Sequence, residues 1–225
     1  MLFDMNPLLH RAMHAANSEA HLLLLVLATV ELVLEHLGSS RMRTVGLFID
    51  GPAPLAKLEV QRARRESALK KLARSDTGKP RITKPQLTAG SDVMKGISEG
   101  LIAWSQSRLA LKKHAQTRFV CSGDSVVGEA ETKMARCIAE DVVREGNVNA
   151  AGVPTGQSSE RRKVLLVGND TDLLMVCACA NTAAEMFVLP RLPDEDGSWQ
   201  DCDSAWYVTV NRPLTWASYG PDGES

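Results

Sequence analysis

The chain has 225 residues, of which 44% are hydrophobic and 24% charged, and its formal net charge is −1. These values are ordinary for a soluble globular protein, and they exclude a wholly disordered chain, a collagen and a coiled coil. The charge is unevenly distributed: Arg41–Lys84 holds twelve Lys and Arg against four Asp and Glu, a net charge of +8, which leaves −9 for the remainder. This asymmetry indicates a local anionic partner.

Short apolar runs recur along the chain, and each ends in an acid or a turn residue. Because these runs are continuously apolar, they predict strands that are buried on both faces. In chain order the predicted strands are MLFDMN at the start, Thr44–Gly51, Arg118–Asp124, Lys163–Asp172 and Met186–Pro190. The helices predicted between them are His21–Leu37, Leu58–Leu72, Val93–His114, Glu129–Arg144 and Leu173–Thr182. The alternation predicts an α/β fold, with a mostly parallel central sheet flanked by helices.

Two segments are predicted to be loops, the basic Thr77–Gly90 and the small, polar Gly146–Ser159. We expect one domain over residues 1–190. The acidic tail, residues 191–225, holds three of the four Trp and both Tyr, and it shows no clean period that would predict a structure.

The five cysteines form no CxxC pair, which argues against a disulfide framework and a zinc site of the usual spacing. We therefore expect reduced thiols and an intracellular protein, whether cytoplasmic, nuclear or organellar. The most apolar run, Leu22–Leu34, contains Glu31 and is shorter than the roughly 20 apolar residues that span a bilayer. It predicts a buried helix, and we expect no membrane association.

Six acidic residues follow predicted strands. In an open parallel sheet, ligands bind beyond the carboxyl ends of the strands, so we expect these acids to converge on one edge. Such a cluster repels itself unless cations neutralise it, and carboxylate oxygens suit Mg²⁺ or Mn²⁺. Two such ions could hold a phosphodiester for hydrolysis. The candidate catalytic and metal-binding residues are Asp4, Asp50, Glu129, Glu131, Asp170 and Asp172.

A single Asp at a strand end is usually a turn or helix-cap residue. The Asp170–Asp172 pair is a stronger signal, because alternate residues of an extended chain share a face. Glu129 and Glu131 would not share a face of a regular helix. For both side chains to reach the same site, the start of the helix must be irregular, and Gly128 just before them permits that.

A basic helix is predicted directly after Asp50. Four of its side chains fall on one face of a 3.6-residue period, and Arg side chains match phosphate oxygens with bidentate geometry. The same pattern is also typical of a solvated basic helix. The candidate phosphate-binding residues are Lys57, Gln61, Arg64 and Arg65.

Five segments, in this order along the chain, resemble motifs of the 5′→3′ exoribonucleases of the Xrn/Rat type, within the PIN-like 5′-nuclease superfamily. They are DMNPLLH (Asp4–His10), DGPAPLAKLEVQRARR (Asp50–Arg65), LTAGSDVM (Leu87–Met94), SGDSVVGEAETK (Ser122–Lys133) and GNDTDLLMV (Gly168–Val176). The resemblance implies a PIN-like fold and Mg²⁺-dependent exonuclease activity on single-stranded RNA with a 5′-monophosphate. It also implies that the six acids bind metal, that Lys57, Gln61, Arg64 and Arg65 bind the 5′-phosphate, and that His10 stacks on the terminal base.

The chain departs from the family pattern in several places. Pro7, Leu55 and Val127 replace a motif glycine, arginine and proline. The family's helix before the first strand, a later aspartate and its large C-terminal domains have no counterpart in these residues. Two alternatives therefore stay open. One is an RNA-binding or structural subunit of a larger ribonucleoprotein, whose partners supply further elements. The other is a PIN-like endonuclease, which needs no 5′-phosphate pocket.

Overall fold

The structure is a computed structural model. It describes residues 1–37, 42–52, 59, 62–63, 66–67, 70, 82–111, 114, 116–144, 163–169, 172–173 and 185–189. The predicted loop over residues 146–159 and the tail over residues 191–225 lie outside the described residues.

Five strands form one sheet in which every pairing is parallel, in the order β3-β2-β1-β4-β5. The strands are β1 (Leu2–Asp4), β2 (Thr44–Phe48), β3 (Arg118–Ser122), β4 (Lys163–Val167) and β5 (Glu185–Leu189). The helices are α1 (Met5–Ala12), α2 (Glu19–His36), α3 (Asp92–Leu109) and α4 (Ala130–Arg144), with a short 3-10 helix at Lys84–Leu87. The five predicted strands are confirmed, as is the α/β, PIN-like class with a parallel sheet flanked by helices.

Helices cover both faces of the sheet. Along β1, Leu2 points into the apolar cluster around α4, whereas Phe3 points into the cluster formed with α1, α2 and α3. Phe48 of β2 lies on the α4 side, and Leu47 lies on the other. Because successive side chains of a strand point to opposite faces, a sheet covered on both sides requires the continuously apolar runs seen in the sequence.

The helix α1 was not predicted. The expected strand over MLFDMN stops at Asp4, because the Asp4 side chain accepts a hydrogen bond from the backbone N of Asn6 at 3.0 Å and so caps a helix that begins at Met5. The helix predicted over Val93–His114 is also too long. It ends at Leu109, after which tight turns follow, with Leu111 N donating to Arg108 O and His114 N to Leu111 O.

The predicted loop Thr77–Gly90 contains the 3-10 helix in its described part. Two hydrogen bonds between Thr83 and Gln86 close the start of this helix. The backbone N of Gln86 donates to Thr83 O (2.9 Å), and the side-chain Oε1 of Gln86 accepts from Thr83 N (2.8 Å). The other predicted helices agree with the structure where it is described: α2 and α4 match, and Asp172 and Leu173 are helical. Among the described residues, no helix is both long enough and apolar enough to cross a membrane.

Candidate active site

Asp4 is the last residue of the central strand β1, and it is buried, with 2% of its surface exposed. Its Oδ1 accepts hydrogen bonds from both N and Nδ2 of Asn6, each at 3.0 Å. Burial raises the pKa of Asp4 from its ordinary value of 3.8 to about 7; the Asn6 hydrogen bonds oppose the rise, and repulsion from Glu131 and Asp50 adds to it. Carboxyl groups whose pKa is raised by burial and by anionic neighbours cluster at functional sites.

Asp50 follows β2 by two residues, at the same edge of the sheet. Its Oδ1 accepts from the backbone N of Ala130, the first residue of α4, at 2.8 Å. Its own N donates to Oδ1 of Asn6 at 3.3 Å. Burial raises the pKa of Asp50 and Glu129 raises it further, whereas the Ala130 and Asn6 hydrogen bonds and the charge of Lys133 lower it.

Asn6 therefore connects the two strand-end acids, donating to one and accepting from the backbone of the other. It was not among the candidate residues. The available signal was its place in the DMN motif, where an amide next to an acid can supply a donor and an acceptor at once.

Glu129 and Glu131 lie on opposite sides of the start of α4. Gly128 has φ +109, Glu129 is not helical, and α4 begins at Ala130. The expected irregular helix start is confirmed. The charge of Glu129 raises the pKa of Asp50, and the charge of Glu131 raises the pKa of Asp4. Four of the six predicted acids are thus linked by pairwise repulsion, Glu131 with Asp4, Asp4 with Asp50, and Asp50 with Glu129.

The loops after β2 and β3 are in direct backbone contact. Gly51 N donates to Gly128 O at 2.9 Å. A Cβ on Gly51 would lie 1.7 Å from the carbonyl oxygen of Val126, so no side chain fits there. This contact fixes the distance between Asp50, on one loop, and Glu129, on the other.

A buried lysine lies behind these loops. Lys133 of α4 is 8% exposed, and its Nζ donates to Ile49 O (2.6 Å) and Gly123 O (3.0 Å). Beside it, the buried Asp124 accepts from Ser98 Oγ and Gly90 N, both at 2.9 Å. Neither charged residue was singled out from the sequence, although both lie within the SGDSVVGEAETK segment.

His10 lies in the last turn of α1, with part of its side chain covered and part exposed. Partial burial of its ring lowers its pKa; the nearby Lys84 and His14 act in the same direction, and Asp50 opposes them. The structure thus brings the predicted stacking residue close to the acid cluster. It also adds Lys84, an exposed cation on the 3-10 helix, to the same neighbourhood.

Several predicted site residues lie outside the described part of the structure. These are Asp170, Lys57, Gln61, Arg64 and Arg65. Asp172 is described, exposed and helical, so the expectation of an extended Asp170–Asp172 pair is wrong at Asp172, because the helical turn with Leu173 begins there. The acid still follows β4.

The described positions after Asp50 trace one face of the predicted basic helix. They are helical and exposed, at Glu59, Arg62, Ala63, Glu66, Ser67 and Lys70. Their spacing of three and four residues is that of a single helix face.

Asp4 and Asp50 follow two neighbouring strands at the point where the chain reverses its order across the sheet. β1 pairs with β2 on one side and with β4 on the other, and Gly168, just after β4, would place a Cβ 3.0 Å from the Cβ of Asp4. Ligands of open α/β sheets bind at such a switch point. Within the described ranges, no three Asp, Glu, His or Cys side chains are close enough together to hold a metal ion between them.

The family model described as XRN 5′-3′ exonuclease N-terminus matches residues 1–190. Among curated proteins, none matches the chain.

Proposed function

Since the chain belongs to the XRN 5′-3′ exonuclease N-terminus family, we propose that it is a metal-dependent 5′→3′ exoribonuclease that acts on single-stranded RNA with a 5′-monophosphate. The observation that carries the proposal is the electrostatic state of Asp4. This buried carboxyl has a pKa of about 7, and two further acids repel its ionised form. Burial and repulsion raise the free energy of the ionised carboxylate, and a bound cation would lower it again. Such an arrangement is therefore typical of a site that binds a cation.

The donor set fits Mg²⁺ or Mn²⁺ in its chemistry. Asp4, Asp50, Glu129 and Glu131 offer only carboxylate oxygens, which these ions prefer over nitrogen or sulfur. We propose that Asp170 and Asp172 complete the set from the end of β4, where Gly168 already lies against Asp4. When bound, the metal would supply charge stabilisation and an activated water.

The protein's own groups hold the acids in place before substrate arrives. Asn6 fixes Asp4 and the backbone of Asp50, and Ala130 N orients the Asp50 carboxylate. Helix starts of α1 and α4 lie beside Asp4 and Asp50, and their N–H groups favour negative charge there. Asp4 and Asp50 are therefore oriented by several independent bonds, as positioning for catalysis requires.

The end specificity rests on the basic helix. In the sequence, positions 57, 61, 64 and 65 fall on one face of a 3.6-residue period, and all four carry the polar or cationic side chains that a phosphate needs. A 5′-monophosphate carries up to two charges and forms charge-assisted hydrogen bonds with Arg that a 5′-hydroxyl cannot form. His10, beside Asp50, would stack on the terminal base.

The test is the degradation of a labelled single-stranded RNA that carries either a 5′-monophosphate or a 5′-hydroxyl, with Mg²⁺ or with EDTA. We expect Mg²⁺-dependent release of mononucleotides from the 5′-monophosphate RNA alone. The double variant Arg64→Ala/Arg65→Ala should lose this preference, whereas Arg62→Ala, on the described exposed face, should keep it. Equal cleavage of both ends, or internal cuts, would contradict the proposal and favour a PIN-like endonuclease. RNA binding without any cleavage would favour a structural subunit of a ribonucleoprotein.

A further inference from the structure

Lys133 is the buried cation nearest to the acid cluster among the described residues. It lies in the first turn of α4, and its Nζ reaches two backbone carbonyls that belong to different loops. Ile49 O precedes Asp50 directly, and Gly123 O precedes Asp124 directly. One ammonium group therefore holds the chain immediately before two buried or half-buried acids.

The charges of those acids face the same ammonium. Asp50 and Asp124 both favour the charged form of Lys133, against the burial that disfavours it. Asp124 is in turn tied to α3 through Ser98 and to the loop before α3 through Gly90. Burying a charge is costly unless it is compensated, and Lys133 is compensated by two carbonyl hydrogen bonds and by the charges of the two acids.

We propose that Lys133 is a positioning residue that holds the Asp50 carboxylate against Ala130 N by fixing the ends of β2 and β3. Its effect on catalysis rests on the proposed function, but its effect on Asp50 does not. Lys133 does more than fill space, because its Nζ donates hydrogen bonds to Ile49 O and Gly123 O. The positions of these two carbonyls determine where Asp50 and Asp124 lie. Because a backbone carbonyl adjacent to Asp50 moves with its Cα, loss of this bond displaces the carboxylate.

The first experiment reads Asp50 without metal or RNA. Amide hydrogen exchange of Ala130 is compared in wild type, Lys133→Met and Arg136→Met, with Asp50→Ala defining complete loss of the Asp50 bond. Arg136 is an exposed cation on the same helix, so it controls for the lost charge. We expect Lys133→Met to lower the protection of Ala130 by about tenfold or more, the effect of losing a charge-assisted hydrogen bond, and Arg136→Met to leave it unchanged.

The amide of residue 133 distinguishes positioning from simple fraying, because it donates to Glu129 O (3.1 Å) across the first turn of α4. It should keep its protection in Lys133→Met, as should the amide of Val30 in α2. Equal loss at residues 130 and 133 would mean that only the helix start loosens, and the proposal would be overturned. Unchanged protection at Ala130 would overturn it as well.

The second experiment measures Mn²⁺ affinity by electron paramagnetic resonance, at a temperature where all variants are folded. Removing a positive charge should by itself tighten Mn²⁺ binding, whereas displacement of Asp50 should weaken it. We expect weaker binding in Lys133→Met, and a fall in kcat on 5′-monophosphate RNA with KM preserved. Tighter or equal Mn²⁺ binding would overturn the proposal. If wild-type protein degrades no RNA, the proposed function fails, and the exchange of Ala130 still decides the role of Lys133.

Discussion

Asp4 serves both the fold and the site with one carboxylate. Its Oδ1 caps α1 and accepts from the Asn6 side chain, so the oxygen is already committed when the protein is free of metal. The usual role of an Asp at a strand end, a helix cap, is therefore present at this residue, and the proposed function would add metal binding to it. The acid is held in position by its cap while its charge is opposed by Asp50 and Glu131.

The raised pKa of Asp4 makes the stability of the metal-free protein dependent on pH. Between about pH 4 and 7 the folded chain keeps a proton on Asp4 that the unfolded chain has lost, since the pKa is 3.8 ordinarily and about 7 in the fold. The free energy of unfolding therefore falls as the pH rises through this window, by on the order of 3 kcal/mol. Urea unfolding in EDTA at several pH values from 5 to 8 measures it.

The matched variant is Asp4→Asn, which keeps a side-chain oxygen for the cap and has no charge to lose. Its stability should change less with pH than that of wild type by that amount. Parallel curves for the two proteins would show that Asp4 ionises normally in the fold.

At the scale of elements, the site depends on two loops that touch through their backbones. The loop after β2 carries Asp50, the loop before α4 carries Glu129, and Gly51 lies against Val126 between them. The contact leaves no room for a Cβ, so the requirement is for the absence of a side chain and not for an unusual backbone angle.

Gly51→Ala should therefore separate the two loops and impair the site more than the fold. We expect a loss of about 2 kcal/mol or more in the free energy of unfolding, because the contact is with backbone and cannot yield, together with loss of Mg²⁺-dependent cleavage. Gly90→Ala is the control: its φ is +85 with open space around it, so it should cost about 1–2 kcal/mol through strain alone and keep its activity. Full activity in Gly51→Ala would show that the loops can part freely.

The sequence was informative about elements wherever burial determines the pattern. All five strands could be predicted because a parallel sheet covered on both faces demands uninterrupted apolar runs. The helix predicted from Glu129 begins one residue later, at Ala130, and Gly128 permits the irregular start that was expected there. The helix α1 was missed because DMNP follows a strand without a break, and the signal that ends the strand is one side-chain bond from Asp4.

Residues whose roles arise only in three dimensions could not be found this way. The sequence around Lys133 does not distinguish a buried lysine from a solvated one, since its partners are backbone carbonyls from two distant segments. Asn6 is similar, because it acts on Asp50 across the sheet edge. The pairing of Asp4 with Asp50 could be anticipated, because both acids follow neighbouring strands of a parallel sheet.

At the scale of the whole molecule, the helix layer opposite α4 is clamped by polar contacts as well as by its apolar core. Glu31 of α2 accepts from Trp104 Nε1 of α3 at 2.9 Å and forms an ion pair with Arg108. Arg108 in turn lies 5.4 Å from the centre of the Trp104 ring. These contacts hold α2 and α3 together, and both helices belong to the layer that packs against α1 and so supports Asp4.

Metal should stabilise this whole unit, because the acids that would bind it come from separate strands. At Mn²⁺ concentrations about 100 times the dissociation constant, we expect about 2.7 kcal/mol of added stability and a rise of roughly 5–10 °C in Tm. Asp50→Asn should abolish the rise, whereas Asp92→Asn, an exposed acid in the first turn of α3, should retain it. A rise of equal size in both variants would place the ion elsewhere.

The pairing of β1 with β4 also determines when the site can exist during synthesis. Leu2 pairs with Gly46 early in the chain, but its other neighbour is Leu166. At translation rates of about 5–20 residues per second, β4 is made roughly 10–30 s after β1. β1 therefore lacks one of its two neighbours until β4 has been made. The site beside Asp4 cannot be completed before then, so a nascent chain that ends ahead of β4 lacks it.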